Sequence, residues 1–373
     1  MRNEHTLIAV SLASAIAAGS AAAQGVDLQD YSQVARGRYL AIAGDCGGCH
    51  TLPGSGHEFA GGLTIETPFG NLLAPNITPD AETGIGAMSN DEFVNALTKG
   101  TGRNGMHLYP AMPYTYYTKI SRDDALALRT YFATVPAVRN EVRVNQLPFP
   151  FNVRTGLTGW DELNFKPGPF QPVEGKSAEW NRGAFLAEGL AHCGLCHTPK
   201  SELGGDKKGE ALRGYALQGW YAPNITNDSQ LGLGSWSADD IAEYLKTGHN
   251  RTSAAGGLMG EMITDSASHM TDADLHAIAV YLKDQPGEEH GAPPAADPAV
   301  LKMGGKIYAD ECSACHGPNG RGAPGLFPTL AGASVVRQND ATSLMHVVLR
   351  GARSVGTDRA PTAPAMPSFG WIL

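Results

Sequence analysis

The sequence predicts a mainly α-helical chain built as three tandem modules. Three observations carry that expectation. One five-residue pattern, Cys-x-x-Cys-His, accounts for all six cysteines; the stretches around its first two copies repeat in near register; and apolar residues recur at helical spacing between Gly and Pro stops. The 373 residues suffice for two or three domains. With 42% apolar residues, and Gly and Pro in no collagen-like period, a disordered or fibrous chain is excluded. A net charge of -9 leaves no basic excess to displace counterions from phosphates, which excludes a bulk nucleic-acid binder.

Taken from the N-terminus, residues 1–23 combine Arg2, an apolar stretch from Thr6 to Ala18, and Ala21-Ala22-Ala23 before Gln24. This is the pattern of a secretory signal peptide. It is too short for a membrane anchor, which needs about 20 apolar residues. Later apolar runs are broken by Gly, Pro or charge, so no spanning helix is expected. The mature chain is expected outside the cytoplasm.

The three motifs are Cys46-Gly47-Gly48-Cys49-His50, Cys193-Gly194-Leu195-Cys196-His197 and Cys312-Ser313-Ala314-Cys315-His316. Two thiols at this spacing can form thioethers to one porphyrin edge, with the adjacent His beneath the iron. A single copy would leave a thioredoxin-like pair or half of a zinc site as rivals. Three copies, each followed by His and with no cysteine to spare, favour three covalent haem c groups.

Sixth ligands are then needed. Met112 lies 62 residues after His50, Met259 lies 62 after His197, and Met366 lies 50 after His316. Met262 competes with Met259 from the same helix face, and Met106 is a weaker rival to Met112. His/Met coordination suits electron transfer over chemistry on a bound substrate. The other histidines, His192 among them, show no compact metal spacing and are expected as surface or hydrogen-bonded side chains. His192 could also adjust the second haem through a neighbouring contact. Arg36, Arg182 and Arg251 are expected as solvated charges, with haem propionates as the alternative partners. Trp220 and Trp236 are expected to pack around the second haem.

Each module opens with a helix, marked by Gly37-Arg38-Tyr39-Leu40, Gly183-Ala184-Phe185-Leu186 and Gly305-Lys306-Ile307-Tyr308. Ala74-Pro75-Asn76-Ile77-Thr78 and Ala222-Pro223-Asn224-Ile225-Thr226 follow the first two motifs. Next come helices from Ser89 to Gly100 and from Ser237 to Gly248. Closing helices start at Ser121-x-x-Asp124 and Thr271-x-x-Asp274, read as capping boxes, and stop by Pro136 and Pro286. The expected organisation is a first domain over 24–138, a linker over 139–175, a second domain over 176–290 and a third over 298–373. The linker carries too many aromatic residues for a flexible spacer, so it should pack across modules or on a partner.

Several of these segments, with Leu147-Pro148-Phe149-Pro150-Phe151-Asn152, Trp180-Asn181-Arg182-Gly183 and Pro364-Ala365-Met366-Pro367-Ser368-Phe369-Gly370-Trp371, carry a resemblance over the whole mature chain. The chain resembles the three-haem cytochrome c subunit of membrane-associated bacterial dehydrogenases, which serves alcohol, gluconate, fructose, sorbitol and aldehyde dehydrogenase complexes. The resemblance implies tandem cytochrome c-type domains on the outer face of the cytoplasmic membrane, in the periplasm. It implies haem attachment at Cys46, Cys49, Cys193, Cys196, Cys312 and Cys315, proximal ligands His50, His197 and His316, and distal ligands Met112, Met259 and Met366. A separate flavin, quinoprotein or molybdenum subunit would oxidise the substrate, with a small accessory subunit as an optional partner. Electrons would pass toward ubiquinone or a terminal oxidase, and the chain itself would carry no catalytic residues.

One departure stands out. After the third Met loop the sequence stops at Trp371-Ile372-Leu373, so the third domain is expected to lack its C-terminal helix. A truncated gene product is the preferred expectation, and a short form whose open face a partner covers is the alternative. Two other function classes remain open. A haem enzyme such as a peroxidase or thiosulfate-oxidising cytochrome needs an open distal position or an unusual ligand; a soluble periplasmic electron shuttle needs no stable partner.

Overall fold

A computed structural model describes residues 30–291 and 295–372 of the chain. The signal-peptide stretch lies outside the described residues. The fold is mainly helical, with three small antiparallel sheets. No helix among the described residues is long and apolar enough to cross a membrane.

The first module opens with α1 (Tyr31–Ala43), N-capped by Asp30, and continues into the motif helix α2 (Cys46–His50). A hairpin of β1 (Thr64–Thr67) and β2 (Gly70–Leu73) pairs Thr64 with Leu73. Helix α3 (Asn90–Lys99) begins on a reciprocal Ser89–Glu92 capping box and ends on left-handed Gly100, as its sequence predicts. Then come α4 (Tyr114–Tyr117) and the closing helix α5 (Arg122–Phe132).

The connection is not a spacer. Its β3 (Asn145–Gln146) adds a third strand to β2, and α6 (Gly156–Asn164) brings Phe165 edge-on to Tyr114 at 5.2 Å. Farther on, Phe170 meets Phe185 of the second module at 5.9 Å. The linker therefore packs across the two modules, as its aromatic content suggested.

The second module repeats the first. Helix α7 (Ala178–Phe185) runs through a π-helical turn over Leu186–Leu190 toward the motif helix α8 (Gly194–His197). A hairpin of β4 (Tyr215–Leu217) and β5 (Trp220–Ala222) follows. Helix α9 (Ala238–Thr247) carries a Ser237–Asp240 capping box and ends on Gly248; α10 (Gly257–Asp265) and the closing helix α11 (Asp272–Lys283) complete the unit.

The two closing helices correct the capping-box reading. Ser121 and Thr271 each accept from the third residue of their helix, but neither box is reciprocal. The carboxylates are engaged elsewhere: Asp124 pairs with Arg36 at 2.6 Å and Asp274 with Arg182 at 2.7 Å. Arg36 and Arg182 are thus held by the closing helices, and Arg251 pairs with Asp240 at 3.0 Å. All three are ion-paired, not simply solvated.

Between the paired helices there is no room for a side chain. A Cβ on Gly37 would sit 1.9 Å from the Ala127 carbonyl oxygen, and a Cβ on Gly183 equally close to that of Ala277. Glycine lets the two backbones touch. Around these crossings lies the main core, with Leu40, Leu128, Leu186, Leu190, Ile263 and Leu275 all buried.

The third module has α12 (Pro298–Ile307), the motif helix α13 (Ser313–His316), α14 (Ser334–Arg337), α15 (Thr342–Arg350) and the pair β6 (Ala352–Arg353) with β7 (Ala365–Met366). It docks on the second through Ser343, which bonds both backbone groups of Tyr221, and through His346 stacked on Trp220 at 4.0 Å. Gly305, at the place of Gly37 and Gly183, has open space where a Cβ would be. Val300, Leu301 and Met303 on the same helix are 56%, 62% and 61% exposed.

Candidate cofactor-binding site

The site is best built from the loop that faces each motif. In the first module, Asn76 is buried, and its Oδ1 accepts from the Thr78 backbone N–H at 2.9 Å and its hydroxyl at 2.7 Å. This Asx turn holds the preceding peptide, and the Pro75 carbonyl accepts from His50 Nδ1 at 2.7 Å. The second module repeats the device: Asn224 binds Thr226 at 2.8 and 2.7 Å, and the Pro223 carbonyl meets His197 Nδ1 at 2.7 Å. In the third, the Pro328 carbonyl meets His316 Nδ1 at 2.9 Å without an Asx turn.

A carbonyl oxygen only accepts, so Nδ1 carries the proton in each neutral ring. The Nε2 lone pair is then free, which is the state a metal ligand requires. Burial lowers the pKa of both His50 and His197, favouring the neutral form.

A cavity of about 2130 Å³ is lined by all three modules. A site for a small ligand spans about 300–1,000 Å³, so this space exceeds one such pocket. Among its lining residues are Cys49, Cys193, Cys196, Cys312, Cys315, His197, His316, Met259, Met262 and Met366. Both rivals for the second module, Met259 and Met262, face it from α10. Cys46, His50 and Met112 lie outside its lining, and Cys46 and Met112 pack instead against the main core. Met106 is largely exposed.

None of the six cysteines is paired in a disulfide. Burial pushes the thiols up, to about 12 for Cys46 and Cys193 and about 11 for Cys49. Among the described residues no three His, Cys, Asp or Glu side chains gather as a metal cluster, which removes the geometry a zinc site needs. In the second and third modules, paired thiols beside a His with a free Nε2 face a large apolar cavity and fit covalently held haem c; in the first, the same His geometry recurs with Cys49 alone on the cavity wall.

Sequence reasoning missed several groups. The three proline carbonyls orient the motif histidines, and the twice-repeated Ala-Pro-Asn-Ile-Thr was their only signal; Pro328 had none. The run Tyr114-Thr115-Tyr116-Tyr117 was not singled out, yet its three tyrosines are buried. Asp45 has a buried carboxylate oxygen with no partner, and burial, with Asp265 and Glu261 nearby, pushes its pKa up to about 7. Trp220 and Trp236 both line the cavity; the Trp220 ring also stacks on His346 of the third module, and Trp236 packs edge-on against Tyr244.

Comparison with known proteins agrees with this chemistry. The cytochrome c family model matches residues 181–286 and 301–373. The gluconate 2-dehydrogenase cytochrome c subunit of Pantoea cypripedii is 40% identical, the match covering 95% of this chain and 85% of that one. The cytochrome c subunit of the quinone-dependent alcohol dehydrogenase of Komagataeibacter europaeus is 37% identical, over 97% and 81%. The fructose dehydrogenase cytochrome subunit of Gluconobacter japonicus is 36% identical, over 90% and 74%. Motif, histidine geometry and these likenesses converge: the chain belongs to the family of dehydrogenase cytochrome c subunits.

Proposed function

We propose that the chain is the electron-transfer subunit of a periplasm-facing dehydrogenase complex and carries three covalently attached haem c groups. The observation that supports it most is the threefold repetition of a motif histidine with Nδ1 held by a proline carbonyl and Nε2 free. Attachment is assigned to Cys46 and Cys49, to Cys193 and Cys196, and to Cys312 and Cys315. His50, His197 and His316 are the proximal ligands, with Met112, Met259 and Met366 on the distal side.

Bound there, haem iron supplies reversible one-electron chemistry. The chain's own residues have three tasks. The proline carbonyls fix the ring planes and tautomers of the histidines; the buried side chains of the core and cavity exclude water; and the methionines offer soft thioether donors, Met112 from a turn, Met259 from α10 and Met366 from β7. None of these tasks requires an acid or base acting on a substrate, which suits a non-catalytic subunit. The electron donor is proposed to be a separate flavin, quinoprotein or molybdenum subunit, with a small accessory subunit as an optional partner. The acceptor is ubiquinone or a terminal oxidase, and association with the membrane is peripheral. Modules at 24–138, 176–290 and 298–373, joined by 139–175, are the proposed units.

Mass spectrometry of the chain matured in a haem-attaching periplasm tests this directly. The expected result is a mass increment of three haems, one on each Cys-x-x-Cys-His peptide. Fewer than three, or a mass with all thiols free, would overturn the count. Replacing Met112, Met259 or Met366 by Ala should each remove one methionine–iron charge-transfer contribution; the same loss in Met262→Ala but not Met259→Ala would reassign that ligand.

A further inference from the structure

The first two modules do not merely adjoin. Helix α4 follows directly after Met112 and packs on the Leu186–Leu190 turn that leads to Cys193. Conversely α10, which carries Met259 and Met262, packs on the motif helix α2. Each distal segment thus lies on the other module's attachment segment.

Little slack is left in this contact. A Cβ on Gly189 would sit 2.8 Å from Lys119 Cβ, one on Gly194 3.0 Å from the Tyr116 ring, and one on Gly44 3.1 Å from Leu190 Cδ1. At its centre is the Gly44 carbonyl, at the end of α1 and two residues before Cys46. Tyr117 donates its hydroxyl to that oxygen at 2.6 Å, and His192 Nε2 reaches it at 3.3 Å from the other module. The two rings meet edge to face, centroids 5.6 Å apart.

The residue before the first cysteine is left-handed in both modules, Asp45 at φ 49° and His192 at φ 37°. This conformation is uncommon outside glycine, and Asp and His are among the residue types that adopt it most readily. In the first module the corner leaves an Asp45 oxygen unpartnered; in the second it turns the imidazole across the module boundary.

We propose that His192 is a positioning residue for electron transfer, setting the spacing between the first two attachment segments through its hydrogen bond to the Gly44 carbonyl. The inference rests on the haem reading above. A carbonyl accepts only, so His192 holds its proton on Nε2 and Tyr117 acts as the second donor. Losing either donor loosens the corner that carries Cys46 relative to the one that carries Cys193.

The test uses the full haem-loaded chain as wild type, His192→Ala, His192→Gln and Tyr117→Phe. Two readouts are taken: the rate at which electrons redistribute between the first two haems after flash reduction, and hydrogen exchange of the peptide spanning 40–50. Electron transfer between two redox centres slows steeply as their separation grows, so a several-fold loss is expected for His192→Ala. Exchange of the 40–50 peptide, which belongs to the other module, should accelerate with it. His192→Gln restores a donor and should recover both readouts, and Tyr117→Phe should show a smaller loss. Normal haem content with unchanged transfer and exchange in His192→Ala overturns the inference alone, as does failure of Gln to rescue. If His192→Ala does not retain haem, Tyr117→Phe decides, and wild-type behaviour there overturns it. Absence of haem from either peptide in the wild type overturns the functional reading, and this inference with it.

Discussion

Modules one and two close their opening helices; the third, among the described residues, leaves the matching face open. The contrast is sharpest at three equivalent glycines. Gly37 and Gly183 each lie against a carbonyl oxygen of the partner helix, whereas nothing approaches Gly305. The same residue type is thus a packing requirement twice and unconstrained once. It also shows what the crossing contributes. Where it exists, the apolar residues near it are buried; where it is missing, Val300, Leu301 and Met303 stand in solvent.

Glycine substitutions offer the largest effect. Gly37→Val or Gly183→Val forces side-chain atoms into a backbone carbonyl and should remove about 3 kcal/mol or more of stability. Denaturant titration followed by far-ultraviolet circular dichroism measures it. Gly305→Ala in α12 should instead stabilise its helix by about 0.5–1 kcal/mol. Destabilisation by Gly305→Ala would mean that the face is covered, and the contrast would fail.

Next in size are the ion pairs that join the crossings. Arg182→Ala leaves the buried Asp274 carboxylate with Tyr39 as its remaining side-chain donor, and should lose about 1–2 kcal/mol, discounted because Arg182 is part-exposed. A pH signature accompanies it. Burial opposes ionisation of Asp274, but hydrogen bonds from Arg182 and Tyr39 outweigh it, so its pKa lies below the ordinary 3.8. A depressed carboxylate contributes stability that is complete above its unfolded value and is lost as pH falls through the folded one. Acid unfolding of wild type should therefore be steeper below about pH 4 than that of Arg182→Ala, the two curves converging at low pH.

The smallest effect belongs to the open face. Leu301→Gln should change stability by less than about 0.5 kcal/mol, whereas Leu128→Ala in the first module should lose about 2–5 kcal/mol. Equal losses would show that α12 is packed in solution.

Much of this arrangement was legible in the sequence because it is written locally. Caps at Ser89 and Ser237, stops at Gly100 and Gly248, and the two closing helices depend on residues a few positions apart. What escaped depends on partners far along the chain. Asp124 and Asp274 read as capping-box members because nothing nearby announces Arg36 and Arg182, 88 and 92 residues away. The role of a proline carbonyl is equally silent, since a backbone oxygen carries no residue signature. The histidines and cysteines were easy to find; the atoms that aim them were not.

The short strand β3 carries one more consequence, for how such a chain can be cut and recombined. By supplying the outer strand beside β2, it makes part of the connecting segment belong structurally to the first module. A gene fragment ending at residue 138 would bare the backbone of β2 and strip Tyr114 of its Phe165 and Asp161 partners. An exposed sheet edge invites pairing with other chains. A cut that keeps the first module's sheet and Tyr114 contacts intact must therefore fall beyond α6, not at residue 138.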